Sequence, residues 1–489
     1  MKINRFLIGC LSMTLITTSC SFAGERPNVL FIVCDDLNTH VSTSGYEQIK
    51  TPNFDRLAET GMTFNRAYCQ YPVCNSSRTS FLHSLYPQSS GVVSNKVDIR
   101  DTRPGTISLP QLFKENGYWT AATGKVYHNE KSTPGKDTWD ESHWFDNEEM
   151  PMVTPVREAF ESEHGPVTDR KNRKKWREIY YNIATQTKNQ KPGYGPSGLR
   201  DDQHKDGKNA LKIVKWLENK SFGDKPFFIS MGVHKPHGPF LAPDKYFDLY
   251  PKKDLQYSLP SLDFWETTTL DARTRRHEGF DFEWGVENEL LRRDYMQAYH
   301  ACISFIDAQI GVVLDSLDEN GYADNTIVVL ISDHGYHLGE HFIWGKVTLF
   351  EVCNRVPMLM RAPGLTEAGS KTEGLVELLD IYPTLAELCG MRTPEHVQGK
   401  SLVDNLRKPS AKGKDVVYTV VARGQSLGKA IRTERWRYTK WRSGEELYDL
   451  RGDPEELRNL ATSPEHKSTL NKMRKYLEKM DTRAEEKAI

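Results

Sequence analysis

The sequence predicts an α/β protein: a large, mostly parallel sheet sandwiched by helices, then a smaller C-terminal antiparallel sheet with one helix. Three observations predict it. Strand-like and helix-like segments alternate over most of the 489 residues, as strands joined by helical crossovers do. Several strand candidates are continuously apolar rather than alternating, the signature of strands buried on both faces. From about Val416 the pattern changes to short strands in quick succession. The length suits one big domain and a smaller one, with boundaries read as a leader at 1–23, a main domain at 24–412 and a C-terminal subdomain at 413–489.

The leader has the form of a secretory signal. Lys2 and Arg5 supply charge, Phe6 to Ile16 an apolar stretch, and Ser21-Phe22-Ala23 a small-x-small cleavage site. The apolar stretch is too short for a permanent membrane span, and no later stretch reads as one. The mature chain is expected in the periplasm or outside the cell. A lipoprotein anchor at Cys20 ranks second, because Thr17-Thr18-Ser19 lacks the usual leucine. Cys34, Cys69, Cys74, Cys302, Cys353 and Cys389 are scattered, without zinc spacing or a disulfide framework. With 65 basic and 66 acidic residues, nothing in the charge points to nucleic acid. The basic run at 170–177 reads as a solvated helix face, with a polyanionic substrate as its functional alternative.

In chain order, residues 28–34 form a buried strand that stops at Asp35-Asp36. Residues 51–58 read as a capped helix closed by Gly61, and 108–116 as another closed by Gly117. A strand at 118–123 runs out into Gly124-Lys125-Val126-Tyr127-His128. The polar span 132–207 reads as long loops with one basic helix at 174–184. A helix at 209–218 precedes a strand at 226–233, which ends in His234-Lys235-Pro236-His237. Helical periodicity covers 290–317, and a strand at 326–332 ends in Asp333-His334-Gly335. A further strand covers 356–361. Short strands at 429–432, 436–439 and 446–450 precede a final amphipathic helix from about Pro464. Each polar cluster follows a strand's C-terminal end, where open α/β sheets bind ligands.

Tyr71-Pro72-Val73-Cys74-Asn75-Ser76-Ser77-Arg78 is the other focus. Pro72 ends any strand, and a helix opens from Ser77 with Phe81 and Leu82 as its first apolar contacts. Cys74 then lies at or just before a helix N-terminus, where unpaired N–H groups favour an anion. Arg78, one turn on, adds a permanent cation. The plain alternative is a buried cysteine beside a capping serine pair.

This stretch resembles the sulfatase signature, Cys-x-(Pro or Ala)-Ser-Arg followed by an apolar helix. Ser76 replaces the Pro or Ala, and Ser84 replaces the Gly that closes the longer motif. Asp35-Asp36, Gly124-Lys125-Val126-Tyr127-His128, His234-Lys235-Pro236-His237, Asp333-His334-Gly335 and Lys346 follow in sulfatase order. So do Trp436-Arg437-Tyr438 and Leu447-Tyr448-Asp449-Leu450. Together with Leu338-Gly339-Glu340-His341, the set is most similar to the iduronate 2-sulfatase branch of the formylglycine-dependent sulfatases, within the alkaline phosphatase superfamily.

The resemblance implies an alkaline phosphatase-like fold and hydrolysis of sulfate esters on a saccharide, a glycosaminoglycan or an algal polymer such as ulvan. It implies that a maturing enzyme oxidises Cys74 to formylglycine, whose hydrate offers one hydroxyl to attack sulfur and a second to release sulfate. It implies one calcium ion at Asp35, Asp36, Cys74, Asp333 and His334, a set whose three carboxylates suit a hard cation, calcium or magnesium. Arg78, Lys125 and Lys346 would neutralise sulfate oxygens. His128 would be the base that assists collapse and His234 the acid for the leaving group. His237, Tyr336, His337 and Trp344 would line the sugar site. Two alternatives keep the fold: a phosphonate monoester hydrolase or phosphodiesterase, or a non-catalytic binder of sulfated glycans should Cys74 stay unconverted.

Overall fold

The structure, a computed structural model, describes residues 26–146, 153–184, 193–257, 264–273 and 289–486. The leader, with Cys20, lies outside them.

Eight strands form the central sheet: β1 (Asn28–Asp35), β2 (Met62–Phe64), β3 (Trp119–Gly124), β4 (Glu141–His143), β5 (Phe227–Pro236), β6 (Thr326–Ser332), β7 (Met358–Arg361) and β8 (Ser370–Thr372). Their order is β8-β2-β7-β6-β1-β5-β3-β4. β7 pairs antiparallel with both neighbours, and the other pairings are parallel. The mostly parallel sheet is therefore as expected. β1 lies at its centre, registered on β5 and β6, so the segments leaving all three emerge side by side.

The main helices are α1 (Pro52–Thr60), α2 (Cys74–His83), α3 (Leu109–Glu115), α4 (Thr154–His164), α5 (Arg173–Ala184), α6 (Lys205–Glu218), α7 (Glu289–Glu319), α8 (Ile381–Leu388) and α9 (Lys467–Glu485). Alternation along β1 sorts them into two layers. Val29, Phe31 and Val33 pack with Phe81 and Leu82 of α2, Phe113 of α3 and Leu385 of α8. Leu30, Ile32 and Cys34 pack with Leu57 of α1, Ile213 of α6 and Phe305 of α7. Each such side chain fully withdrawn from water contributes about 1.5–3 kcal/mol, so both faces of β1 must be covered.

Three local expectations change. β5 continues through His234 and Lys235 to Pro236, so those residues are strand rather than loop. α4 lies in a span read as loop. Phe160 is its one buried residue, so it carried little apolar signal, and it packs on Trp176 of α5 at 5.5 Å between ring centres. α7, at 31 residues, is long and apolar enough by composition to cross a membrane, which the sequence reading did not anticipate. Its most apolar window is 83% buried inside the protein, as for a core helix.

The C-terminal sheet is antiparallel in the order β9 (Val417–Arg423), β10 (Ser426–Arg432), β11 (Trp436–Trp441) and β12 (Gly444–Asp449). Tyr418, Val420, Ile431, Tyr438 and Leu447 share one cluster with Leu470, Met473 and Leu477 of α9 and with Tyr71 and Phe350 of the main body. Arg437, 1% exposed, fastens the two parts together. It donates to the Leu349 carbonyl at 2.8 Å, pairs with Glu456 at 2.7 Å and pairs with Glu351.

Removing that guanidinium leaves Glu456 buried without its cation and Glu351 with Arg432 alone, a loss of about 3–5 kcal/mol for a broken buried pair. Arg437→Ala should lower the melting temperature sharply and make the C-terminal sheet the first part cut in limited proteolysis. An unchanged melt and cleavage pattern would show that the apolar cluster alone holds it.

Candidate active site

The site forms where β1, β3, β5 and β6 end beside the N-terminus of α2. α2 begins at Cys74, three residues earlier than expected, with extended Val73 as its N-cap. The Asn75 N–H donates to Asn95 Oδ1 at 3.1 Å. A distant loop thus supplies a first-turn acceptor that local sequence does not. All ten residues of α2 are buried, unusual for a segment this polar.

Arg78 explains how. Its guanidinium lies 3.1 Å from Asp35 and 2.9 Å from Asp333, and donates to the carbonyls of Lys125 and Val126. It ties α2 to the ends of β1, β6 and β3. Arg78, expected at the sulfate oxygens, is engaged with these carboxylates.

The carboxylates face one another. The Asp36 N–H donates to Asp333 Oδ1 at 3.1 Å, and Asp36 has a φ of 64°, a left-handed conformation unusual outside glycine. The Tyr299 hydroxyl clamps that turn, donating to the Asp36 carbonyl at 2.6 Å and accepting from Asn38 N–H at 3.0 Å. Burial, with Asp35 and Asp36 close by, pushes Asp333 above its ordinary pKa despite His334 and Arg78. Asp35 goes the other way: burial opposes its charge, but Lys125, His237, Arg78 and Lys346 together hold it well below.

Two features fit a cation. Asp36 Oδ2 and His334 Nε2 are buried without a hydrogen-bond partner. His334 Nδ1 lies 3.0 Å from the Gly335 carbonyl, so it carries the proton and leaves the Nε2 lone pair facing Asp36 Oδ1 at 3.4 Å. Asp35, Cys74, Asp333 and His334 offer donor atoms all within 4.8 Å of one another, and so do Asp35, Asp36, Cys74 and His237. This buried acidic and histidine cluster can hold a divalent metal. It gathers all five residues expected as ligands and adds His237, expected only at the sugar.

Two lysines flank Cys74. Lys346 Nζ lies 3.3 Å from its sulfur and 2.6 Å from Asp36. Lys125 Nζ lies 3.8 Å from the sulfur and pairs with Asp35. Burial works against the Lys125 charge, but Asp35 and Cys74 outweigh it and raise its pKa. Burial, then Asp35, pushes the Cys74 thiol far up. The Lys125 turn needs two glycines. A Cβ on Gly232 would lie 2.1 Å from the Lys125 carbonyl carbon, and one on Gly124 2.2 Å from the Gly232 oxygen.

Asp35, Lys125, His128, His234 and His237 open onto a cavity of about 870 Å³. Burial, then Lys125 and Arg78, pushes His128 down to about 4. Burial, then Lys205, pushes His234 down to about 4. At neutral pH the resting His234 imidazole is therefore neutral. The far wall comes from the span read as loops with one basic helix: Trp144, Phe145, Arg157, Arg173, Trp176, Tyr180 and Lys205. The basic run contributes Arg173 and Trp176 to that wall.

His337 and Trp344, expected at the sugar, are not brought to the cavity. Both are fully buried. His337 engages the Glu340 carbonyl at 3.1 Å and the Thr348 hydroxyl at 2.7 Å, and Trp344 packs near Tyr295. Tyr336 is buried too, stacked on Tyr299. Asp206, missed in the sequence, lies behind His234. It fell in the span read as loops, because the helix expected from 209 begins at Lys205.

A nucleophile-bearing helix N-terminus, a carboxylate cluster and flanking cations at the carboxyl edge of such a sheet define a hydrolase for tetrahedral oxyanion esters. The family profile described as Sulfatase matches residues 27–391, and one described as N-sulphoglucosamine sulphohydrolase, C-terminal, matches 339–483. The chain belongs to the sulfatase family and is a sulfuric ester hydrolase. It is 33% identical to a sulfatase of Formosa agariphila, over 93% of this chain and 87% of that one. It is 28% identical to mouse (Mus musculus) iduronate 2-sulfatase, over 92% and 94%. Its fold matches a phosphonate monoester hydrolase of Agrobacterium radiobacter with a TM-score of 0.76 at 21% identity, covering 94% and 96%.

The departure at Ser76 has a stability consequence. Its hydroxyl is buried and unpartnered, whereas the neighbouring Ser77 hydroxyl donates to the Asp333 carbonyl. Ser76→Ala should raise stability by about 1 kcal/mol and Ser77→Ala lower it by a similar amount. Paired melting curves check this, and a loss of stability in Ser76→Ala would mean the hydroxyl is solvated.

Proposed function

We propose that the protein is a secreted or periplasmic sulfatase that removes a sulfate ester from the end of a sulfated saccharide, using formylglycine made from Cys74 by a maturing enzyme, with one calcium ion. The observation that carries this is the position of Cys74, first in a buried helix, between Lys125 and Lys346 and beside the carboxylates. The saccharide reading draws support from the cavity wall. Trp144, Trp176 and Tyr180 offer flat apolar faces to a sugar ring, and Arg157, Arg173 and Lys205 suit an anionic one. A glycosaminoglycan and an algal polymer such as ulvan both have that character.

Calcium at Asp35, Asp36, Asp333 and His334, with residue 74, would polarise the bound sulfate. Formylglycine would supply a hydrated aldehyde, with one hydroxyl to attack sulfur and another to lose its proton as sulfate departs. Lys125 and Lys346 neutralise charge building on the sulfate oxygens. Arg78 holds Asp35 and Asp333 in place for the ion. His128 takes up a proton on the side of residue 74, for which a neutral imidazole is already prepared. His234 protonates the leaving sugar oxygen, and the arriving anionic sulfate raises its basicity.

Mass spectrometry of the residue-74 peptide from enzyme matured in its own host should find an aldehyde in place of the thiol, and metal analysis one calcium per chain. Chelation should abolish turnover of aryl sulfate. Fully active protein carrying only the thiol, or no divalent ion, would overturn the reading. Faster hydrolysis of aryl phosphonate than of aryl sulfate would move the substrate assignment to that ester.

His234→Ala should reduce turnover of a sugar sulfate by about 10²–10⁴-fold. It should spare 4-nitrophenyl sulfate, whose leaving group needs no proton. His128→Ala should slow both. Equal losses for His234→Ala would reassign the acid, with His237 next in line.

A further inference from the structure

We infer that Asp206 is the positioning residue of His234, an Asp–His pair in which the carboxylate fixes the imidazole tautomer and stabilises the charged ring. The inference rests on the sulfatase reading of His234. Asp206 stands in the first turn of α6, 1% exposed. Its Oδ1 accepts the backbone N–H of His234 at 2.8 Å and lies 3.3 Å from His234 Nδ1. Its Oδ2 accepts the Lys235 N–H at 3.0 Å. Asn209 Nδ2, one helical turn on, donates to Oδ1 at 3.4 Å. The carboxylate thus grips both the backbone at the end of β5 and the ring it carries. Trp144 meets that ring edge-on, at 5.7 Å between centres and 82°, which restricts its rotation.

A carboxylate accepts and does not donate, so the proton between them belongs to Nδ1. Nε2 is then the nitrogen that exchanges protons. Once Nε2 is protonated, the ring is a cation beside a buried anion, which offsets the burial that otherwise opposes its charge. As the ester S–O bond breaks, its electron pair stays on the sugar oxygen. The Nε2 proton transfers to that oxygen, the imidazolium returns to neutral imidazole, and Nδ1–H stays on Asp206 throughout. Asp206 touches no reacting atom. Its effect should therefore scale with how much proton the leaving group needs, which a purely structural brace for β5 would not do.

The test uses mature, metal-loaded enzyme with 4-nitrophenyl sulfate and phenyl sulfate, the second being the poorer leaving group. D206N is nearly isosteric and keeps an acceptor for the two backbone N–H groups. It should lose about 10–100-fold more kcat/KM on phenyl sulfate than on 4-nitrophenyl sulfate. The double variant D206N/H234A should be no slower than H234A alone, since the two act as one unit. Equal losses on both esters, or additive losses in the double variant, would overturn the inference. Nitrogen-15 spectra of the wild-type histidines, with the His234 signal assigned by its absence from H234A, give a readout independent of D206N folding. They should show the neutral ring protonated at Nδ1, and protonation at Nε2 would overturn the inference. If wild-type enzyme hydrolyses neither aryl ester, the tautomer alone decides the pairing.

Discussion

The structure depends on one buried cation. Arg78 enters the protein with almost no exposure, and removing a charge from water costs several kcal/mol even after relaxation. Two carboxylates and two carbonyls offset that. They come from three places: Asp35 from β1, Asp333 from beyond β6, and Lys125 and Val126 from beyond β3. One side chain therefore sets the height of α2 against three strand ends. Without it, a helix of Cys, Asn, Ser and Thr would have little reason to be buried, and Asp35 and Asp333 would repel one another across a closed space.

The same arrangement accounts for the strain nearby. Asp36 holds an unfavourable φ because Tyr299 and Asp333 fix its backbone. The result turns its carboxylate toward Lys346 and the cation cluster instead of continuing β1. Ser84 gives a second case at the other end of α2. It takes the left-handed C-cap conformation that glycine usually provides, at φ 52°. Its hydroxyl donates to the Leu379 carbonyl at 2.6 Å and accepts the Gly399 N–H at 3.0 Å. Those two bonds are what a glycine could not have made, and they offset the backbone cost.

The parts legible in the sequence were those whose signal is local. β1, β5 and β6 announced themselves as continuous apolar runs because both faces are covered. The polar residues at their ends then converged because parallel strands all end on one edge. What stayed hidden was set by contacts distant in sequence. Asn95 caps α2 from twenty residues away. Asp206 meets His234 across 28 residues, and it lay in a polar span before the helix was expected to begin, so nothing local marked it. His337 and Trp344 misled for a related reason. They sit in a segment whose neighbours reach the site, yet the chain there turns its aromatic side chains into the core, and sequence order does not reveal direction. α4 was missed because a helix with one buried residue has almost no periodicity to read.

The two halves of the cavity are built on different principles. The floor consists of side chains on or just beyond the central strands, nearly all buried and locked by charge pairs. A change at any of them disturbs several others, so little variation is tolerable. The wall comes from α4, α5 and the segment before them, where Phe160 and Trp176 make a small satellite contact and most residues face water. Substitution or lengthening there leaves the sheet untouched. Chemistry and selectivity are therefore physically separable. Asp206 lies at the seam, in the first turn of α6, which packs on the sheet, while Lys205 beside it already belongs to the wall. The acid that meets the leaving group is thus aligned by the rigid half and approached by substrate through the adaptable one.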